Sequence, residues 1–180
     1  MRTSPTNIGL WMLSAAAAHN FGYCTIDQVI SLLSKSMETI SGLQRFEGHL
    51  LNWYDLQTLK PLEPRYVSMV DSGNLIGTLW ALEQSLLRMI ETPLLDKRLF
   101  DGLSDTAEIY EETVGRTSEL SRVSALPASG IGEKLKLLRR MEELMCHGAG
   151  EQPDNWGQEI LKQLDAWGSL RDRYLRWIEI

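Results

Sequence analysis

Cysteine is scarce in this chain of 180 residues. Cys24 and Cys146 stand 122 positions apart, too few and too distant for a disulfide framework or a paired-thiolate metal motif. They read as two free thiols in a reducing compartment. The three histidines, His19, His49 and His147, show no ligand spacing either, so no metal and no cofactor is expected. An excess of basic residues is also missing: 18 Lys plus Arg face 24 Asp plus Glu, for a net charge of −6. That excludes a nucleic-acid binder, which needs a basic face for phosphate, and it disfavours docking on anionic lipid. No apolar run reaches the ~18 residues of a membrane span, and the N-terminus lacks the basic-then-apolar layout of a signal peptide. Glycine-rich phosphate loops, Gly-x-Ser-x-Gly elbows and zinc signatures are absent.

What remains is an ordinary globular composition, 43% hydrophobic and 23% charged, long enough for one domain with a real core. Charge is spread unevenly. Residues 1–90 carry 6 basic and 7 acidic side chains, and residues 91–180 carry 12 and 17. The first half is therefore expected to be the more buried, and a polar group there needs a reason.

The periodicity is helical throughout. Ser4-Pro5-Thr6-Asn7 opens a first helix. Ile8 to Ala18 holds no charge, the signature of a helix buried all round, with Trp11 assigned to the core. Gly22 supplies a left-handed end. Thr25-Ile26-Asp27-Gln28 fits a capping box. It leads into an amphipathic helix with Ile26, Val29, Ile30, Leu33, Met37 and Ile40 on one face. Asp71-Ser72-Gly73-Asn74 opens a third helix. Its apolar residues run through Leu87 and Glu83 is the only charge before Arg88, so it too is expected to be buried, with Trp80 in the core. Thr92-Pro93 stops it, and Leu94 to Gly102 reads as an irregular turn. An acidic helix follows Ser104, a fifth follows the break at Ala128-Ser129-Gly130, and a last one starts near Asn155 after breaks at Gly148-Ala149-Gly150 and Pro153. No strand alternation persists, so the class is all-α.

Two features go beyond a generic bundle. Uncharged and amphipathic helices alternate, as in an α/α toroid whose inner ring (residues 8–18 and 74–87) lies inside an outer one; a four-helix bundle would give every helix a wet face. The connection from about Glu47 to Val70 exceeds the ~12–15 residues beyond which a loop usually serves a function. It carries Asn52, Trp53, Tyr54, Asp55 and Tyr66 and runs into Asp71 and Asn74. Aromatic faces beside amides and carboxylates suit a sugar, whose ring faces stack while its hydroxyls seek hydrogen bonds. Each residue also has a structural explanation. Trp53 and Tyr54 can pin the loop to the core, Asn52 and Asp55 can form turns, and Asp71 can be a helix cap.

Four stretches then point to a family. Arg2-Thr3-Ser4-Pro5-Thr6-Asn7-Ile8-Gly9, Gly48-His49-Leu50-Leu51-Asn52-Trp53-Tyr54-Asp55, Pro61-Leu62-Glu63-Pro64-Arg65-Tyr66-Val67-Ser68 and Val70-Asp71-Ser72-Gly73-Asn74-Leu75 resemble, in order and spacing, the cyclic β-1,2-glucan synthases, large bacterial inner-membrane enzymes. The match is to the start of their middle, glycoamylase-like domain. It is specific over residues 2–75 and only general over residues 91–180. The resemblance implies a partial α/α toroid of about six helices, with residues 1–180 forming a single incomplete domain. It implies transglycosylation that closes a linear β-1,2-glucan chain into a ring. It also implies that the chain is a fragment of a larger enzyme at the cytoplasmic side of the inner membrane, with the glucan and the rest of that polypeptide as partners. The catalytic carboxylates are then expected outside this chain, and none is assigned here. Asn52, Trp53, Tyr54, Asp55, Tyr66, Asp71 and Asn74 become the candidate glucan contacts. A helical interaction module without carbohydrate binding is the alternative.

Overall fold

The computed structural model describes residues 1–115, 119–148 and 155–178. It is mostly helical: α1 (Pro5–Asn20), α2 (Ile26–Ser41), α3 (Met69–Ile90), α4 (Lys97–Val114), α5 (Glu119–Ser124), α6 (Ile131–Gly148) and α7 (Asn155–Tyr174). The all-α expectation holds. Four two-residue strands, too short to leave a period in the sequence, are added to it: β1 (Arg2–Thr3), β2 (Arg45–Phe46), β3 (His49–Leu50) and β4 (Tyr54–Asp55). β1 pairs antiparallel with β4, and β2 with β3. The turn between β2 and β3 is Glu47-Gly48, with φ of 47° and 86°, the pair of positive values that a tight two-residue hairpin requires.

Local signals account for several helix ends. Thr25 and Gln28 form the reciprocal box, with Thr25 N donating to Gln28 Oε1 at 2.8 Å and Gln28 N to Thr25 Oγ1 at 3.3 Å. Gly22, at φ 81°, ends α1, with Gly22 N donating to His19 O and Tyr23 N to Ala18 O. Two starts differ from the sequence reading. α3 begins at Met69 under a Ser68 cap, whose hydroxyl accepts from Asp71 N at 3.2 Å, so Asp71 lies inside the helix and is not its cap. α4 begins at Lys97 under an Asp96 cap, so much of the span read as an irregular turn is helix. α5 went unread because six residues hold too little periodicity. Of the break read over 148–153, the part from Ala149 onward lies outside the described residues.

The chain forms two compact units, one of Met1–Ala17 with Val29–Thr92, the other of Ala18–Gln28 with Pro93–Ile180. In the first unit a small core of Leu43, Leu50, Leu51 and Tyr54 takes packing from Ile8, Ile40, Val67 and Leu75. Gly9 lets α1 lie against α3: a Cβ there would collide with Thr78 Oγ1. In the second unit α4, α5, α6 and α7 enclose Leu99, Leu103, Leu135, Leu138, Met141, Ile160 and Trp167. Gly102 there lies against the 21–22 turn, where a Cβ would stand 2.6 Å from Phe21 O.

Burial corrects two expectations: the larger buried core belongs to the second half of the chain, not the first, and α1 is not buried all round, since Leu10 is exposed. Trp11 and Trp80, assigned to the core, are 54% and 69% exposed. α3 buries only Leu82 and Met89, while Ile76, Leu87 and Ile90 are exposed. Absence of charge along a run does not by itself bury the helix that carries it.

Candidate functional site

Asp71 and Asn74 meet the 2–9 segment because two helices start beside each other. Pro5 opens α1, where its missing N–H costs nothing, and the buried Ser4 caps it by accepting from Asn7 N at 3.3 Å. Ser68 caps α3 in the same way. Thr6 joins the two starts: its Oγ1 donates to Asp71 Oδ1 at 2.6 Å and accepts from Asn74 Nδ2 at 3.2 Å. Burial pushes the Asp71 carboxyl up, but hydrogen bonds from Thr6, Ser68 and Ser4 outweigh it and hold the pKa below the ordinary carboxylate value. An anion in the first turn of α3 is also favoured by the helix dipole.

The strand pair brings in the loop. Arg2 lies opposite Asp55 and Thr3 opposite Tyr54, and Leu56 N donates to Met1 O at 3.0 Å. The Arg2 guanidinium rests on the Trp53 ring, 4.0 Å from its centroid, a cation–π geometry. The half-buried Trp53 indole therefore has one face covered by the chain itself. Tyr66, 51% exposed, is tied in through its carbonyl, which accepts from Asn52 N at 2.9 Å.

Three candidates are redefined by their surroundings. Tyr54 is wholly buried. Its hydroxyl accepts from Leu51 N and donates to Gln44 O, both at 2.7 Å, so that hydroxyl is engaged by the chain itself. Burial raises its phenol pKa against the smaller pulls of Leu51 N–H and Arg45, which keeps it a hydrogen-bond donor at neutral pH. Asp55 is a turn former: its Oδ1 accepts from Thr58 N at 2.8 Å, Gln57 N at 3.0 Å and Thr58 Oγ1 at 3.1 Å. The Thr58 N–H, followed by the Thr58 hydroxyl, lowers its pKa. Asn52 is 2% exposed and its Oδ1 is a buried acceptor with no partner among the described residues. Trp53, Tyr66, Asp71 and Asn74 keep accessible surface.

Two contributors escaped the sequence reading although both stand in the Arg2–Gly9 stretch. Arg2 covers Trp53, and Thr6 bridges Asp71 to Asn74. Neither role leaves a local signature, since each depends on residues more than fifty positions away. Asp55, held by Thr58, and Asp71, held by Thr6, share no hydrogen bond among the described residues. The described residues hold no group of three His, Cys, Asp or Glu placed for a metal ion, and no helix among them is long and apolar enough to cross a membrane.

No family model matches the chain. It is 36% identical over 151 residues to the cyclic β-(1,2)-glucan synthase NdvB of Rhizobium meliloti (strain 1021). That match covers 79% of this chain and 5% of the relative, so the chain spans about one-twentieth of that protein's length.

Proposed function

Because the chain is a relative of the cyclic β-1,2-glucan synthases over most of its length, we propose that it serves β-1,2-glucan synthesis by holding the glucan chain. The observation that carries this reading is that the 2–9 segment contacts both the 52–55 and the 66–74 stretches, Arg2 resting on Trp53 and Thr6 bridging Asp71 and Asn74. At this node of contacts the open part of the Trp53 indole meets a sugar ring face, and Tyr66, Asp71 and Asn74 take hydroxyl hydrogen bonds. Ser4, Thr6, Tyr54 and Asp55 fix the frame, with Asn52 packed behind it. The reaction served is transglycosylation that closes a linear chain into a ring. The attacking and protonating carboxylates come from polypeptide outside this chain, in a larger membrane-associated enzyme, and the helices here form part of an α/α toroid.

Calorimetric titration with long linear β-1,2-glucan tests the reading. Trp53→Ala should weaken binding by about 1–2 kcal/mol, below the full cost of uncovering a large apolar side chain because Arg2 already covers one face. Asp71→Asn should weaken it by about 1 kcal/mol. Unchanged affinity in both variants, with earlier melting, would reduce the node to scaffold. One observation favours the alternative of an interaction module: the exposed apolar residues Ile76, Trp80, Leu87 and Ile90 on α3. A chain that binds no glucan and self-associates through α3 would establish that alternative.

A further inference from the structure

Beside the node, in the same compact unit, a groove of about 370 Å³ opens along α1 and α2. This is within the ~300–1,000 Å³ of small-molecule sites. Ile8, Ile40 and Leu43 line it, and Leu56 and Leu59 from the 56–60 turn form its other side. Tyr54 and the polar Thr3, Asn7, Ser36 and Thr39 complete the lining, with no charged side chain among the described residues that line it. Trp11 stands in it, 54% exposed. Its Nε1–H donates to Ser36 Oγ at 3.2 Å, and Ser36 Oγ in turn donates to Leu32 O at 2.9 Å. The indole is thereby pinned by its edge, leaving ring surface open to the groove.

We infer that this groove is a further subsite for the neutral β-glucan chain, with Trp11 as its stacking platform. The inference rests on the glucan reading of the node and extends it along the chain. Three features support a sugar over other occupants. The lining carries no charge, which matches a neutral polymer and gives an ionic ligand nothing to pair with. The pinned indole supplies a flat apolar face for a pyranose, while the Asn7 carboxamide and the Thr3 and Thr39 hydroxyls border it with hydrogen-bonding groups. The groove also shares the 2–7 segment with the node. Thr3 belongs to the strand that carries Arg2 along Tyr54–Asp55, and Asn7 follows Thr6, the bridge to Asp71.

The test compares a β-1,2-linked disaccharide with long linear β-1,2-glucan, titrated calorimetrically into the 180-residue chain and its variants, with a thermal melt of each. Trp11→Ala should weaken the long glucan about tenfold and leave the disaccharide, held at the node, unchanged. Trp11→Phe, which keeps a ring, should recover most of the loss. Ser36→Ala, which frees the indole edge, should weaken the long glucan about threefold. If the wild type binds long glucan and the Trp11 variants bind it equally well, this subsite is refuted while the node stands. If the wild type binds neither sugar, both readings fall. An apolar fluorescent dye that binds the groove, is lost in Trp11→Ala and is not displaced by glucan would also overturn the subsite, identifying the groove as a seat for an apolar segment.

Discussion

Replacing Tyr54 by Phe separates a residue that holds the loop from one that touches a ligand. The phenyl ring remains, so no cavity opens in the core around Leu43, Leu50 and Leu51. Only the hydroxyl is lost, and with it two bonds of 2.7 Å. The Leu51 N–H is buried and finds no replacement, which costs about 1–3 kcal/mol. The Gln44 carbonyl is nearer to water, and losing its donor costs about 0.5–1.5 kcal/mol. A net loss of about 2 kcal/mol should lower the melting temperature by about 4–8 °C for a chain of this length. Circular dichroism melts read the loss directly, and titration of the folded variant with linear glucan should give wild-type affinity. A variant that melts like the wild type but binds glucan markedly more weakly would refute the reasoning, since only a ring and hydroxyl facing the ligand could produce that pattern.

Two other perturbations probe the contacts that assemble the node. Gly9→Ala should destabilise by about 1–3 kcal/mol through overpacking against Thr78. In urea unfolding, the double variant with Thr78→Ala should recover wild-type stability or exceed it, because alanine also favours the helix by about 1 kcal/mol. Additive losses in the double variant would show that the collision is not the cause. Thr6→Val should lower stability at neutral pH by about 1–2 kcal/mol, the scale of a hydrogen bond to a charged acceptor with part of its surface in water. Asp71 titrates below its ordinary value when folded. Its contribution is therefore complete above the unfolded carboxylate pKa of about 3.9 and is lost as pH falls through the lower folded value. The gap between wild type and Thr6→Val should narrow in that acidic range to the part owed to the Asn74 bond, and a gap that does not change as Asp71 is protonated would disprove the linkage.

Features encoded within a few residues were legible before the structure. The Thr25–Gln28 box and the left-handed Gly22 are local chemistry, and both occur where the sequence puts them. The start of α3 was misread because Asp71-Ser72 and Ser68 are all competent caps, and the choice among them is made by which backbone N–H each hydroxyl or carboxylate reaches. The candidate site was legible as a neighbourhood and not as a set of orientations. Trp53 and Tyr54 are adjacent, and neighbouring residues of an extended segment point to opposite sides. The pairing of Thr3 with Tyr54 fixes the register, and fifty intervening residues hide that pairing from sequence inspection. Trp11 shows the limit of composition as well: the same uncharged run describes a buried helix and one that keeps an indole in an open groove.

The division of the chain has a consequence for the order in which it is made. Residues 18–28, the tip of the first helical hairpin, belong to the unit formed mostly by residues 93–180. The tip is secured by groups synthesised much later: Gly102 against the 21–22 turn, Asp105 accepting from the Tyr23 hydroxyl at 3.0 Å, and Arg173 and Tyr174 both donating to Asp27 at 3.0 Å. A ribosome that has released only the first hundred residues has made every partner of Tyr54 and Thr6 but none of these. The hairpin must therefore wait with its stem engaged and its tip unattached. A truncation after Thr92, drawn at what looks like a clean boundary, would leave the tip in that state permanently.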